Sequence, residues 1–422
     1  METYGKILLI AMPAFLVLIL IEKWWGWRKG HDTVPLNDMI SSLSSGITNS
    51  TKDVLGLSVA IISYEWLVGK VAITSVDSGW LTYFIAFMAL DFSGYWVHRI
   101  AHEYNFFWNN HIVHHSSEEF NLACALRQSI SVVVRIFTVF LLPAALLGVP
   151  TEVIAIVAPL HLFAQFWYHT QHIGRMGILE YIIVTPAHHR VHHAINPIYL
   201  DKNYSQIFIF WDKLFGTFQD ELKEVPCVYG VTRPVRTWNP IKINFMHLWL
   251  LIKDAWHASS WWDKLRIWFM PLGWRPADVA QQYPVYKIED VYHFDKYSPM
   301  LSPALTRWSV FHLFLLLLFI SYLFGNIASI ALADMMLYGL FIFMTVYAIT
   351  ELMDKNPNAW LFEVIKNVFG AGMMIEQGDW FGMSVILPGV QYVVAAYFVV
   401  SSAVVVWFVK REIGEVEGVQ TI

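Results

Sequence analysis

Histidines recur along the first half of this chain at the spacing that a metal site needs. The stretch HRIAH sets His98 and His102 four residues apart, so on a helix their rings stand one above the other on one face. HIVHH supplies His111, His114 and His115, and HRVHH repeats that spacing with His189, His192 and His193. Imidazole nitrogens one turn apart converge on a cation about 2.0–2.2 Å away without distorting the backbone, so each cluster is a two- or three-toothed chelator. These eight imidazoles exceed the needs of one ion, and two ions held by about four each would use them. A lone histidine is usually an ordinary hydrogen-bonded residue, but three chelating clusters in one chain are not accounted for that way.

FWYHTQH adds His169 and His172 as further ligand candidates. His188 is turned about 100° from His189 on a helix, which puts it beside a metal or toward substrate and not on the ion. His161, within PLHLFAQFW, sits in the middle of an apolar run, where a polar group is costly and functional by default; it is a weaker ligand candidate. His31, His247, His257, His293 and His312 lack chelating spacing and are read as ordinary core, interfacial or surface residues. Cys124 and Cys227 are the only cysteines, too few and too distant for a disulfide scaffold or a thiolate site, so histidine must supply the metal chemistry.

The elements that must carry these rings belong to a membrane. Of the 422 residues, 56% are hydrophobic and 14% charged, against roughly 25% charged in soluble domains. The mean hydropathy is +0.47. Twenty Trp and 19 Tyr suit the headgroup region. A net charge of −5 leaves no basic face, which excludes nucleic acid as a partner. Apolar runs near 6–22, 53–73, 79–97, 130–148, 152–171, 305–324, 329–350 and 384–409 are expected to span, although Glu65 weakens the second and Arg135 lies in the fourth. The first is read as a retained anchor and not a cleaved signal, because Trp24, Trp25 and Trp27 follow it and no small-residue cleavage site does.

Segments 23–52, 98–129 and 172–304 hold most of the charge, which places them and the metal site on the cytoplasmic face. The expected fold is therefore all-α: a polytopic membrane bundle with a histidine-rich di-metal site on its cytoplasmic face. YSPMLSP marks a boundary between a metal-binding part, 1–300, and a transmembrane extension, 301–422, that carries no chemical motif. Within the extension, the amphipathic stretch 359–376 is expected to lie in the interface or to cross.

HRIAHEYNFFWNNHIVHHSSEEFNLACALRQS (98–129) and TPAHHRVHHAINPIYLDKNYSQIFIFWDKLFGTF (185–218) resemble the fatty acid hydroxylase and sterol desaturase superfamily, and within it the alkylglycerol monooxygenase family. The likeness covers roughly 80–220. It implies an oxygen-dependent, non-heme di-iron enzyme of membrane lipid metabolism, whose two irons are held by the eight clustered histidines. Glu103 matches an acidic residue of the motif and is the catalytic candidate; His169 matches a recurrent histidine, and His172 a position that varies. LDKNY and WDKLFGTF match a signature around Asp201, Asn203, Tyr204, Trp211, Asp212 and Phe215, in which Asn203 and Asp212 are expected to hold imidazole tautomers from behind.

The implied reaction hydroxylates the carbon beside the ether oxygen of an alkylglycerol, giving a fatty aldehyde and a glycerol derivative. Tetrahydrobiopterin is the implied electron donor, with a ferredoxin or cytochrome b5-like donor as the alternative. No G-x-G-x-x-G fingerprint argues for a built-in reductase. The same site would serve a sterol desaturase or a fatty acyl or carotenoid hydroxylase. A metal-binding transporter or receptor is the reading from another class, and it predicts ligands strung along a path through the spans.

Overall fold

A computed structural model describes residues 2–413, so the last nine residues of the extension lie outside the described part. Helices dominate. In the metal-binding part they are α1 (Glu2–Arg28), α2 (Leu36–Val54), α3 (Tyr64–Val71), α4 (Trp80–Glu103), α5 (Asn105–Trp108), α6 (Ile112–His115), α7 (Leu142–Leu146), α8 (Thr151–Phe163), α9 (Pro186–His193), α10 (Phe210–Phe215), α11 (Pro240–His257), α12 (Trp261–Arg266) and α13 (Ala277–Gln282). The extension adds α14 (Pro303–Gly325), α15 (Leu332–Met353), α16 (Ala359–Gln377) and α17 (Val390–Phe408). The fold is not wholly α: β1 (Val59–Ala60) and β2 (Val134–Arg135) pair in parallel.

Among the described residues, four helices are long and apolar enough to cross a membrane: Gly5–Arg28, Pro303–Gly325, Leu332–Met353 and Val390–Ile413. They answer to the expected spans at 6–22, 305–324, 329–350 and 384–409. The run at 79–97 lies in α4, which has the length, but the helix carries Asp91 at its middle and His98, Arg99, His102 and Glu103 in its second half. The other three expected spans are not continuous helices, each for a local reason. Region 53–73 ends α2 at Val54, passes through β1 and restarts at Ser63, whose side chain caps α3 by accepting from Trp66 N. Region 130–148 is split among β2, a 3-10 turn and the five residues of α7. Region 152–171 carries Pro159 inside α8, which stops at Phe163 after 13 residues, too few to cross. Gly148 makes the turn before α8 at φ 69°, where a Cβ would stand 2.0 Å from the Thr74 carbonyl oxygen.

The two parts share one core. Leu8 and Ile19 of α1 and Ile40, Ile47 and Val54 of α2 bury against Leu316, Ile320, Phe341 and Ile342 of the extension. The 359–376 stretch forms α16, packed lengthwise against α15 and α17. At one end Asn356 bonds Glu351, and past the other Trp380 Nε1 donates to Tyr338 OH at 3.0 Å. Midway along α16, Lys366 Nζ lies 2.6 Å from Glu363 Oε1 and 2.9 Å from Tyr397 OH of α17, with both charged side chains buried.

Removing one member of that buried pair strands the other charge. Lys366→Met is expected to destabilise the protein by about 3–5 kcal/mol. The Glu363→Gln, Lys366→Met double variant should recover most of the loss, as read by thermal unfolding in detergent; equal losses in both would show that the pair does not matter.

Candidate metal centre

The histidines reach one place from four short pieces of chain. His98 and His102 lie on the last turns of α4, His111 and the α6 residues His114 and His115 follow a tight bend, and His189, His192 and His193 lie on α9. His169 comes from the segment after α8. Helix α9 has eight residues, all buried, and starts on Thr185 with Pro186 in its first turn. Arg190 pins it, since its guanidinium makes bonds of 2.8 and 2.7 Å to Glu221 and also donates to the Thr170 and Ile173 carbonyls.

Two groups result. His98, His102, His111, His115 and His192 form one, and His114, His169, His189 and His193 the other; within each, the ligand nitrogens lie within 4.8 Å of one another. Neighbours on a helix point about 100° apart, so His114 and His115 go to different groups, as do His193 and His192. The eight expected ligands and His169 are brought together. His172 is not: the chain has left the helix before it, and its Nε2 lies 2.9 Å from Thr33 Oγ1.

Backbone carbonyls fix which nitrogen of each ring is available. A carbonyl oxygen only accepts, so a ring Nδ1 bonded to one must carry the proton and leave Nε2 as a lone pair. His98 Nδ1 donates to Tyr204 O at 2.7 Å, His192 Nδ1 to Lys202 O at 3.0 Å, His114 Nδ1 to Arg127 O at 3.2 Å and His169 Nδ1 to Gln165 O at 3.1 Å. His114 and His169 are then both committed, yet their Nε2 atoms lie 3.3 Å apart, lone pair against lone pair. His102 Nε2 and His189 Nδ1 are buried with no hydrogen-bond partner. This donor set fits cations: an ion between the rings would satisfy what no proton can. Burial, the largest cause, also holds the rings neutral, lowering His114 to about 3 from an ordinary value of 6.5 and pushing His189 and His193 well down.

The surrounding residues act through those carbonyls. Asp212 accepts from Tyr204 N at 2.8 Å, Ser205 N at 2.9 Å and Thr217 Oγ1 at 2.6 Å, and so holds the loop segment whose Tyr204 carbonyl orients His98. Asn203, at φ 55°, donates to His188 O and Gln219 O. None of these bonds goes to an imidazole nitrogen. Glu103, at the end of α4, is half-exposed and pairs with Arg99 at 2.7 Å, outside both groups. His188 accepts from Thr185 N at 3.3 Å to close the α9 capping box, and a ring nitrogen lies within 4.8 Å of Glu180 and Asp220.

Sequence reasoning missed Asp91, which lies on α4 among apolar residues. It accepts from His161 Nε2 at 3.0 Å, Ile207 N, Phe208 N and Trp211 Nε1, so His161 lies outside the metal groups and braces the loop toward Ser205. Only an acidic residue inside an apolar run, with a histidine inside another, signalled the pair. His247 donates to Asn105 O at 2.9 Å and His293 pairs with Asp290 at the surface. A cavity of about 390 Å³ opens against His98, His111, His114, His169 and His189 and extends past Phe166 to Phe15, Met12 and Leu8 of α1.

Residues 83–217 match the fatty acid hydroxylase family. The chain is 36% identical over 365 residues to the alkylglycerol monooxygenase of Homo sapiens, covering 84% of this chain and 80% of that protein. It is 33% identical over 400 residues to that of Danio rerio, covering 93% and 86%. A Delta(7)-sterol 5(6)-desaturase from Aspergillus fumigatus is 29% identical over 150 residues, 34% of this chain and 40% of that protein. No solved structure matches the chain.

Asp212→Ala is expected to weaken metal binding about 10- to 100-fold by freeing the His98 acceptor, and His172→Ala to leave it unchanged; metal quantitation after dialysis reads both. The buried rings also set a pH dependence in the metal-free protein. Their folded values lie below 6.5, so stability is full above that pH and falls as pH drops toward about 3, where the unfolded chain takes up protons that the folded rings refuse. Thermal unfolding of metal-free protein at pH 7.5 and pH 5 should show the loss, and equal melting temperatures would contradict it.

Proposed function

The chain belongs to the fatty acid hydroxylase family, in its alkylglycerol monooxygenase branch, and from that premise we propose that it is a di-iron enzyme that cleaves ether lipids. It is a membrane lipid monooxygenase. The branch is favoured over the sterol desaturases because similarity to the former runs through most of the chain and to the latter through only 34% of it.

The observation that carries the reading is the lone-pair contact of His114 and His169 at the end of a cavity lined by a membrane helix. Two irons suit the division into five and four nitrogens, with Tyr204, Lys202, Arg127 and Gln165 carbonyls presetting the tautomers. Iron held there supplies the activation of dioxygen that attack on an unactivated C–H bond requires. The protein contributes positioning and dryness. Leu8, Met12 and Phe15 receive an alkyl chain in the membrane, Phe166 guides it, and the carbon beside the ether oxygen is set against the histidines. Asn110 and Gln206, also in the wall, offer hydrogen bonds to the glycerol hydroxyls. The hydroxylated carbon is a hemiacetal, which collapses to a fatty aldehyde and a glycerol derivative.

The proposed donor is tetrahydrobiopterin, following the family resemblance. The proposed orientation puts the centre on the cytoplasmic side. Arg28 and Lys29 end α1, Arg307 begins α14, Lys355 follows α15 and Arg411 ends the last span, all at the histidine end, whereas the connections 326–331 and 378–389 hold no Lys or Arg.

Purified protein with iron, oxygen and tetrahydrobiopterin is expected to release fatty aldehyde from an alkylglycerol and to leave a sterol unchanged, as read by mass spectrometry. Two irons per chain are expected, and His114→Ala should abolish both turnover and normal iron content. Conversion of the sterol alone would move the chain to the desaturase reading. A Cβ at Gly46, in the cavity wall, would stand 3.2 Å from Leu126 Cβ. Gly46→Ile is therefore expected to cut kcat/KM for a long-chain alkylglycerol about 10-fold or more with iron content unchanged.

A further inference from the structure

Helix α11 has two apolar faces where a helix on a water-soluble surface has one. Ile243, His247, Leu250, Leu251 and Asp254 are buried in the protein. On the opposite side Phe245, Trp249, Ile252 and Trp256 form a second stripe at i, i+4, i+7 and i+11, and all four are exposed, Trp256 by 79%. Helix α12 continues it: Trp261 is 78% exposed, and Trp262, Leu265 and Phe269 are exposed beside it. A face of eight large apolar side chains left to water is far outside what soluble surfaces carry, and such faces mark an interaction site.

The location of this face identifies its partner. Just before α11 Trp238 N donates to Asp354 at 2.7 Å, and in the first turn of α11 Lys242 Nζ pairs with Glu351, both partners being at the histidine-side end of the α15 span. After α12 the chain is tied to the end of α4, where Asn105 N donates to Met270 O at 3.0 Å and Leu272 N to Glu103 O at 2.8 Å. Both ends of the hairpin are thus fixed where helices leave the apolar layer. Tryptophan, which makes up four of the eight side chains, prefers the headgroup level because its ring is apolar and its N–H polar. Lysines border the stripe. Lys264 reaches over the Trp261 ring at 5.4 Å and donates to the Trp256 carbonyl, and Lys253 is exposed on α11. Aromatic rings inward with ammonium groups at the border complement a lipid leaflet.

We propose that the α11–α12 hairpin lies in the bilayer interface as a second, non-spanning anchor, seating the exposed Phe245–Trp249–Ile252–Trp256 and Trp261–Trp262–Leu265–Phe269 faces among the lipids on the histidine side of the membrane. Through Met270 and Leu272 this anchor holds the end of α4, and with it His98 and His102, at a fixed depth.

The test places a nitroxide on Trp256→Cys, and separately on Trp261→Cys, in a Cys124→Ser, Cys227→Ser background, in nanodiscs containing anionic lipid. Collisional broadening by oxygen should exceed that by an aqueous nickel chelate, as at a reference label on Val17→Cys in α1, and should not change when the labelled protein is diluted with unlabelled protein. Broadening dominated by the nickel chelate would overturn the proposal. So would spin–spin broadening that vanishes on dilution, which would mean that a second copy covers the face. If the cysteine background fails to fold, brominated phosphatidylcholine gives the same answer. The Trp249→Phe, Trp256→Phe, Trp261→Phe, Trp262→Phe variant should lose at least about a fifth of the quenchable tryptophan emission, because it removes four of 20 tryptophans, all four of them lipid-facing. An unchanged quenched signal would reject the anchor.

Discussion

Neutral imidazoles crowded into a dry space, with their free lone pairs aimed at one another, are the constraint around which this molecule is arranged. A ring in water can turn or take up a proton; here neither is open, because burial disfavours the charged form and a carbonyl holds each of four Nδ1 atoms. The strain of the metal-free arrangement is thus concentrated on Nε2. That is the property a cation site needs: ligands deprotonated in advance and unable to relax away.

Supplying carbonyls at those positions explains why the metal-binding part is so irregular. A carbonyl inside a helix is already occupied by the fourth residue onward, so acceptors for the rings must come from helix ends and loops. Gln165 follows the end of α8, Arg127 follows a 3-10 turn, and Lys202 and Tyr204 flank Asn203 with its positive φ. Each loop then needs its own brace. Arg127 is held by Asp38 and Ser116, Tyr204 by Asp212, and the neighbouring chain at Ile207 and Phe208 by Asp91. Asp91 and Asp212 therefore hold backbone N–H groups and Asp38 holds the Arg127 guanidinium, and none of the three belongs to either histidine group.

That division decides how much could be read from sequence. The clusters were legible because helical spacing is a local property, but the expectation that each triad acts as one chelator is not met: the 100° step between neighbours sends His114 and His115, and likewise His193 and His192, to different groups. His172 misled because the same spacing was applied beyond Phe163, where no helix exists to give it meaning. Asp91 and Arg127 were illegible as parts of the site, since their partners lie at Trp211 and Asp38, far along the chain. The apolar runs at 53–73, 130–148 and 152–171 looked like spans because hydropathy records burial without saying in what. Leu162, Phe163 and Phe166 line the cavity, and Leu67, Ala144 and Val153 pack in a protein core.

The cavity and the dryness of the rings are consequences of the same side chains. Phe166 and Leu16 line the same space as the buried His169, so in the proposed reading one apolar wall both admits the alkyl chain and borders the imidazoles. An alkyl chain entering there displaces little polar contact, whereas water would be attracted to the rings and would compete for them. Substitutions that let water in should therefore raise the pKa of the rings as well as loosen lipid binding, and the two effects cannot be separated by enlarging the cavity. They can be separated by filling it, because a side chain that occupies the alkyl path leaves the rings as dry as before.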